Sequence, residues 1–187
     1  MSFLPGEFYH VYNRGNNKQA IFREDDNYIY FLQKIKKEIS THADILAYCL
    51  MPNHYHILLY IKEDTDEKKS SVLSRKFGTL QGSYAQGMNK RYNTVCSLFQ
   101  QKIKSKLLTK GAEQAVICFH YIHQNPLKAK LVDSMEHWKY SSFKEYLNQT
   151  FSGSVNSKTS YDLLGVAQNI DLFLKESMGV INFDEGY

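Results

Sequence analysis

Two histidines at positions i and i+2 of an apolar run are the side chains of this sequence best placed to hold a metal ion together. His54 and His56 flank Tyr55 in residues 54–61, a segment that has the composition of a β-strand. Side chains alternate along a strand, so both imidazoles point to one face while Tyr55 points to the other. Imidazole is the commonest metal-binding side chain. The pattern is short, however, and a chain with 7 histidines can contain it by chance.

A second polar group stands at the end of a predicted helix, residues 112–124. Tyr121 and Asn125 are four residues apart and therefore share a helical face. A tyrosine there could act as a nucleophile, and the asparagine as an oxygen ligand or a phosphate contact. The structural alternative is a partly buried tyrosine, with Asn125 capping the helix. Pro126 disfavours helical geometry at Asn125, so we expect the helix to end or kink there.

The charges are distributed unevenly along the chain. The net charge is only +4, but residues 68–112 carry 10 basic side chains and no carboxylate. Such a block favours phosphate binding, because each neutralised phosphate releases counterions; it is also compatible with a merely solubilising face. In a predicted strand over residues 97–107, Lys102, Lys104 and Lys106 alternate and would point the same way.

The order of predicted elements indicates an α+β fold. Strands are expected at residues 8–13, 45–50, 54–61 and 97–107, and helices from residue 25 or 26, over 73–91 and over 112–124. This β-α-β-β-α-β-α order is that of a ferredoxin-like split βαβ core, with a four-stranded antiparallel sheet and helices on one face. We assign residues 1–148 to this domain. Residues 149–187 are assigned to a linker, over 149–160, and a short helical C-terminal extension with a final helix at 171–178.

Composition limits the class of protein. With 187 residues, 43% of them hydrophobic, the chain suits one compact domain. It has no apolar run of the roughly 18 residues that a membrane helix needs, and its first residues do not resemble a secretion signal, so we expect a cytoplasmic protein without membrane contact. Three cysteines, Cys49, Cys96 and Cys118, form an odd set without regular spacing, and we expect reduced thiols.

Five sequence strings, in order, resemble the REP-associated tyrosine transposases, relatives of the single-tyrosine HUH transposases of insertion sequences. They are residues 9–17 (YHVYNRGNN), 48–59 (YCLMPNHYHILL), 98–100 (LFQ), 121–132 (YIHQNPLKAKLV) and 138–143 (WKYSSF). The resemblance spans about residues 8–147 and is far more specific than the histidine pair alone. It implies a ferredoxin-like nuclease core, in agreement with the fold predicted from the element order.

The resemblance also implies a set of site residues. His54 and His56 would be the HUH pair that binds a divalent ion, Mg²⁺ or Mn²⁺, and Tyr121 the catalytic nucleophile. The insertion-sequence branch has glutamine four residues after the tyrosine, whereas this chain has Asn125, as in the REP-associated branch. Asn125 therefore takes the third ligand position, with His123 and Gln124 as alternatives.

The expected function is that of a metal-dependent endonuclease and strand transferase acting on single-stranded or hairpin DNA through a 5′-phosphotyrosine intermediate. Such a protein would associate with the nucleoid when bound to DNA, and the resemblance allows, without requiring, a homodimer. The cationic side chains that we expect to contact DNA are Arg14, Arg75, Lys76, Lys90, Arg91, Lys102, Lys104 and Lys106.

Two other functions fit parts of the sequence. RNA-recognition modules share the split βαβ order and bind unpaired bases without cleaving them, but this chain lacks their Gly-Phe-Gly-Phe type of string. A structural zinc protein could use Cys49, His54, His56 and either His120 or His123. Metal content would separate these classes, since tightly held zinc favours the last and weakly held magnesium or manganese favours the nuclease.

Overall fold

A single four-stranded sheet lies between two layers of helices in the computed structural model, which describes residues 2–95, 97–148, 153–179 and 183. The strands are β1 (Phe8–Arg14), β2 (Asp44–Met51), β3 (His54–Tyr60) and β4 (Lys104–Leu107). The helices are α1 (Asp25–Glu38), α2 (Glu67–Tyr92), α3 (Ala112–Lys128), α4 (Phe143–Tyr146), α5 (Ser157–Leu164) and α6 (Ile170–Ser177).

The sheet has the strand order β2-β3-β1-β4, and every neighbouring pair is antiparallel. β2 and β3 form a hairpin around Pro52 and Asn53. The crossovers through α1 and α2 bring β1 and β4 beside them, which is the split βαβ arrangement. The structure therefore confirms the predicted ferredoxin-like α+β core.

α1 and α2 cover one face of the sheet. Their apolar stripes, at the predicted helical spacing, pack on Tyr55 and Ile57 of β3 and on Val11 of β1. α1 carries acidic residues in its first turn and basic residues in its last turn, which complements the helix dipole. The side chains of β1 and β3 on this face are therefore core residues.

The opposite face is covered by α3 together with α4, α5 and α6. We expected the helices on one face; this holds for α1 and α2 but not for α3. The reason is visible in β2 and β3, where Ala47, Cys49 and Leu58 face away from α1 and α2 and are also apolar. A sheet that is apolar on both faces needs a helical layer on each. α3 thus lies over the same face as His54 and His56.

Two predicted boundaries were wrong. α3 does not end before Pro126 but continues to Lys128, because a single proline near the end of a helix removes only one backbone hydrogen bond. The turn after it is held by the Ala129 N–H, which donates to the Asn125 carbonyl at 2.9 Å. β4 has only four residues, Lys104–Leu107, so Lys102 lies outside it.

The C-terminal extension packs against the core where it is described. α6 lies close to the predicted final helix, and its Phe173 is fully buried in the layer with α3. α5 begins at Ser157, inside the stretch that we expected to be a linker, while residues 149–152 lie outside the described residues. The division into a domain and an extension at residue 148 stays a prediction.

Cys49 and Cys118 are buried and form no disulfide, in agreement with the predicted reduced thiols, and Cys96 lies outside the described residues. Among the residues that the structure describes, no helix combines the length and apolar character needed to cross a membrane.

Candidate active site

His54 and His56 lie side by side on the α3 face of β3. Their ring centroids are 5.0 Å apart and the ring planes are perpendicular. Pairing of β1 with β3 places Arg14 opposite His54 and Tyr12 opposite His56. The predicted same-face geometry of the histidine pair is therefore present.

The hydrogen bonds of His54 fix its tautomer. Its Nδ1 lies 2.6 Å from Oδ1 of Asn53, whose Nδ2 donates to the carbonyl of Lys18 at 3.3 Å. This second bond orients the amide so that an oxygen faces the imidazole, and an oxygen can only accept. Nδ1 of His54 must then carry the proton, which leaves the lone pair on Nε2, where a metal ion binds.

His56 is fully buried and has one partnered nitrogen. Its Nδ1 lies 2.9 Å from Nε2 of His10, a residue of β1 that is also fully buried. Its other nitrogen, Nε2, is buried without a hydrogen-bond partner. Unpartnered buried polar atoms are rare in folded proteins, and each calls for an explanation such as a bound ion or water. A metal ion on Nε2 would satisfy this atom, so the pair fits the implied divalent ion.

Burial keeps the imidazoles of the site neutral. It lowers the pKa of His54 to about 4, with the charge of Arg14 contributing, and the pKa of His10 to about 3, with Lys106 contributing. The pKa of His56 is also well below its usual value, mainly because of burial and then because of the neighbouring His10 and His54. Neutral imidazole is the form that binds metals.

Tyr121 of α3 stands against the histidine pair. Its ring centroid is 5.9 Å from that of His56, and the rings are perpendicular. Its Oη is buried without a hydrogen-bond partner. Asn125 lies one helical turn further along, and its Nδ2 donates to the Tyr121 carbonyl at 3.1 Å. This bond leaves Oδ1 as the Asn125 atom able to bind a cation.

Phe183 covers Tyr121 from the C-terminal end of the chain. The two rings are tilted with centroids 5.0 Å apart, and the Phe183 ring also lies 5.5 Å from that of His10. Lys106 places its Nζ 5.6 Å from the centre of the Phe183 ring. Tyr121 is consequently only 6% exposed. Sequence reasoning missed this contact, because no pattern links a terminal phenylalanine to a helix some 60 residues earlier.

Four cations lie on the same face of the sheet as Tyr121. Lys104 and Lys106 stand opposite Tyr12 and His10 across the β1–β4 pairing. Lys128 places its Nζ 5.4 Å from the centre of the Tyr121 ring, and burial lowers its pKa. Arg14, beside His54, has a buried Nε without a partner. These side chains give the site a positive lining suited to a phosphodiester.

The other predicted DNA contacts are not brought to this site. Those on α2 lie across the sheet from the histidines, where Lys76 pairs with Glu38 at 2.8 Å and Arg91 pairs with Glu24 at 3.0 Å. The cations of residues 68–112 thus form ion pairs with carboxylates from other parts of the chain. The residues on α2 are Arg75, Lys76, Lys90 and Arg91, and exposed Lys102 lies before β4. Their role in DNA binding stays a prediction.

The alternative third ligands have other partners. His123 Nε2 lies 2.7 Å from Oγ of Ser142, and Gln124 Nε2 donates to the Ser177 carbonyl at 2.8 Å. These hydrogen bonds favour Asn125 over His123 and Gln124 as the third metal ligand.

The zinc site considered from the sequence also lacks support in the geometry. Cys49 lies opposite His56 on β2, but burial raises the pKa of its thiol, which is hydrogen-bonded with Ser141, so the thiolate needed for zinc is disfavoured. Within the described ranges, no three His, Cys, Asp or Glu side chains are grouped to hold an ion. An amide oxygen would therefore have to complete a site on His54 and His56.

Comparison with known proteins supports the fold. The chain matches a solved structure of a REP-associated tyrosine transposase bound to a REP hairpin, with a TM-score of 0.62 and 14% sequence identity. The match covers 83% of this chain and 94% of that chain. No protein-family model matches the chain, and no curated protein matches it. The shared architecture extends over nearly the whole of the other protein, and at this identity it establishes the fold alone.

Proposed function

We propose that this protein is a metal-dependent endonuclease and strand transferase for single-stranded or hairpin DNA, with Tyr121 as its nucleophile. The observation that carries the proposal is the pair of unpartnered buried atoms, Oη of Tyr121 and Nε2 of His56, on facing side chains. The hydroxyl of a buried tyrosine usually bonds to a neighbour. The fold shared with a transposase structure bound to a REP hairpin supports the DNA substrate.

The metal, Mg²⁺ or Mn²⁺, would be held by Nε2 of His54, Nε2 of His56 and Oδ1 of Asn125. The amide oxygen suits these two ions, whereas imidazole nitrogens on their own favour later transition metals such as Zn²⁺. When bound, such an ion supplies Lewis-acid polarisation of a phosphoryl oxygen and offsets its developing charge. The protein itself positions the nucleophile by fixing Tyr121 on a rigid helix above the strand that carries the histidines.

The reaction proposed for Tyr121 is an in-line displacement at phosphorus. Its Oη forms a bond to phosphorus and gives its proton to solvent, while the bond from phosphorus to the 3′ oxygen breaks and that oxygen takes up a proton from solvent. The 5′-phosphate end of the downstream fragment remains on the tyrosine, and the reverse reaction with another 3′-hydroxyl transfers the strand. Lys128, Lys104 and Arg14 would neutralise the phosphate and its neighbours.

The proposal is tested by incubating the protein with 3′-end-labelled single strands that contain hairpins, with and without Mn²⁺, and separating the products on denaturing gels. The label stays with the 5′-phosphate fragment, so a labelled protein band reports the phosphotyrosine. His54→Ala and His56→Ala should each abolish the band while single-stranded DNA binding stays within several-fold of the wild-type value. DNA binding without an adduct in any metal would instead indicate a non-catalytic binder.

The proposal includes a role in DNA recombination, association with the nucleoid when the protein is bound to DNA, and a homodimer.

A further inference from the structure

His10 is a buried titratable side chain for which the proposed reaction has no direct role. It lies on β1, diagonally across from His56, and its Nε2 is 2.9 Å from Nδ1 of His56. The two rings stack with centroids 5.1 Å apart and planes 14° from parallel. Tyr12 stacks on His10 at 4.7 Å. Stacking and burial therefore hold the His10 ring in one place.

The bond between the two histidines has two possible directions, and they have opposite consequences for metal binding. If His56 donates from Nδ1, its Nε2 carries the lone pair and can bind a cation. If His10 donates, the proton of His56 lies on Nε2, which must lose it before a cation can bind. The direction of one hydrogen bond thus decides whether His56 is ready to act as a ligand.

We propose that His10 is the positioning residue of the metal site: it accepts the Nδ1–H of His56 and so presents Nε2 of His56 to the divalent ion. This inference rests on the proposed function of the site. Metal-bound histidines commonly donate their other N–H to an acceptor that fixes tautomer and ring orientation. A buried imidazole in this position would serve as the acceptor where a carboxylate or carbonyl is more usual.

The arrangement also links the tautomer to metal binding. When His10 accepts at Nε2, its own proton lies on Nδ1, which is buried without a partner. The opposite direction leaves the N–H on Nε2 of His56 without a partner instead, so the two directions carry similar costs in the metal-free protein. Binding of the ion to the lone pair of His56 Nε2 selects one of them, so we expect the metal to fix the shared hydrogen bond in the direction from His56 to His10.

Metal affinity of three proteins tests the role. Mn²⁺ binding is titrated by the loss of the free-ion electron paramagnetic resonance signal for wild type, His10→Phe and His10→Gln. Phenylalanine keeps the ring and its stacking but removes the acceptor, so Mn²⁺ should bind about 10- to 100-fold more weakly. Glutamine places Oε1 near the original Nε2 and should restore affinity to within several-fold of wild type. His137→Gln, which alters an exposed histidine paired with Asp133, is the control and should bind like wild type.

A second readout follows the tautomer itself. In ¹⁵N-histidine-labelled wild-type protein, the nitrogen shifts of His56 should report proton on Nδ1 once Zn²⁺, a diamagnetic probe, is bound. Equal Mn²⁺ affinity of His10→Phe and wild type would overturn the role of His10, as would a glutamine variant that binds no better than phenylalanine or a His56 proton that is not on Nδ1. Failure of the proposed function gives a different result. In that case wild type shows no Mn²⁺ binding that the His54→Ala substitution abolishes.

Discussion

The ring of Tyr121 stands edge-on to the imidazole of His56, with centroids 5.9 Å apart and planes at 88°. Both side chains are buried, and each has a polar atom without a partner. Leaving such an atom unsatisfied costs about 1–3 kcal/mol of stability. Two such atoms on facing residues are typical of a site that is completed by a ligand rather than by the protein.

Removing the hydroxyl of Tyr121 should separate stability from activity. Tyr121→Phe deletes an atom that makes no hydrogen bond, so we expect the free energy of unfolding to stay equal or to rise by about 1 kcal/mol. Covalent adduct and strand cleavage should disappear together, because the nucleophile is gone. Urea unfolding measures the stability, and the labelled-strand gel measures adduct formation and cleavage. Tyr55→Phe is the matched control for stability, since the Tyr55 hydroxyl accepts from Gln81 at 2.7 Å and its loss should destabilise the protein.

Two other results of the same assay have distinct meanings. A Tyr121→Phe protein that still cleaves, paired with a wild type that never forms an adduct, would indicate attack by water instead of tyrosine. A variant that loses stability to the same extent as Tyr55→Phe would indicate an ordinary core tyrosine.

The cover over Tyr121 predicts a second effect. The Phe183 ring packs on Tyr121 and contacts Lys106, so we expect it to restrict the access of a phosphate to Oη. Such contacts contribute about 1–2 kcal/mol together. Phe183→Ala should therefore speed adduct formation about 5- to 30-fold at saturating DNA. Leu172→Ala, at an exposed position of α6, is the control and should leave the rate unchanged.

Single-turnover time courses measure this rate. An adduct rate for Phe183→Ala equal to that of wild type would show that the ring does not limit access to the tyrosine. A lower rate would instead assign Phe183 a supporting role in the site.

Acid should unfold the protein through its buried histidines. Burial lowers the pKa of five imidazoles, those of His10, His54, His56, His120 and His123. Below pH 6.5 the unfolded chain binds protons at these positions and the folded chain does not, so stability is present above that pH and is lost as the pH falls toward 4. Each group contributes about 1.4 kcal/mol per pH unit in that window.

Urea midpoints at pH 7.5, 6.5, 5.5 and 5.0, with a chelator present, check this dependence. His137→Gln is the control, because His137 is exposed on the surface and is not one of the five buried imidazoles. A free energy of unfolding that stays level from pH 7 to pH 5 would contradict the burial of neutral imidazoles.

The sequence predicted those parts of the site that depend on local periodicity. Alternation along a strand is enough to place His54 and His56 on one face, and helical spacing is enough to align Tyr121 with Asn125. Neither pattern says which neighbouring strand supplies a partner. His10 was missed for this reason: its contact with His56 depends on the register of β1 against β3, which is set by the assembled sheet.

The charged block shows a second limit of sequence reasoning. A run of lysines and arginines without carboxylates predicts a free positive surface, yet α1 and the residues before it supply Glu38 and Glu24 to the cations of α2. Only tertiary packing reveals this pairing. The stretch 104–107 differs, because strand pairing directs two of its lysines to the face of Tyr121.

Paired substitutions of basic residues test which cations contact the DNA. Lys104 and Lys106 lie on the face of Tyr121, so Lys104→Ala with Lys106→Ala should weaken single-stranded DNA binding. Each phosphate contact contributes about 0.7 to the slope of log K against log salt, so the double variant should lower its magnitude by about 1.4. The control, Lys34→Ala with Lys62→Ala, removes the same charge from α1 and from the loop after β3 and should leave the slope unchanged. A third variant, Lys76→Ala with Arg91→Ala, tests the contacts predicted on α2. A smaller slope in that variant alone would indicate that DNA binds to the other face of the sheet, away from the proposed nucleophile.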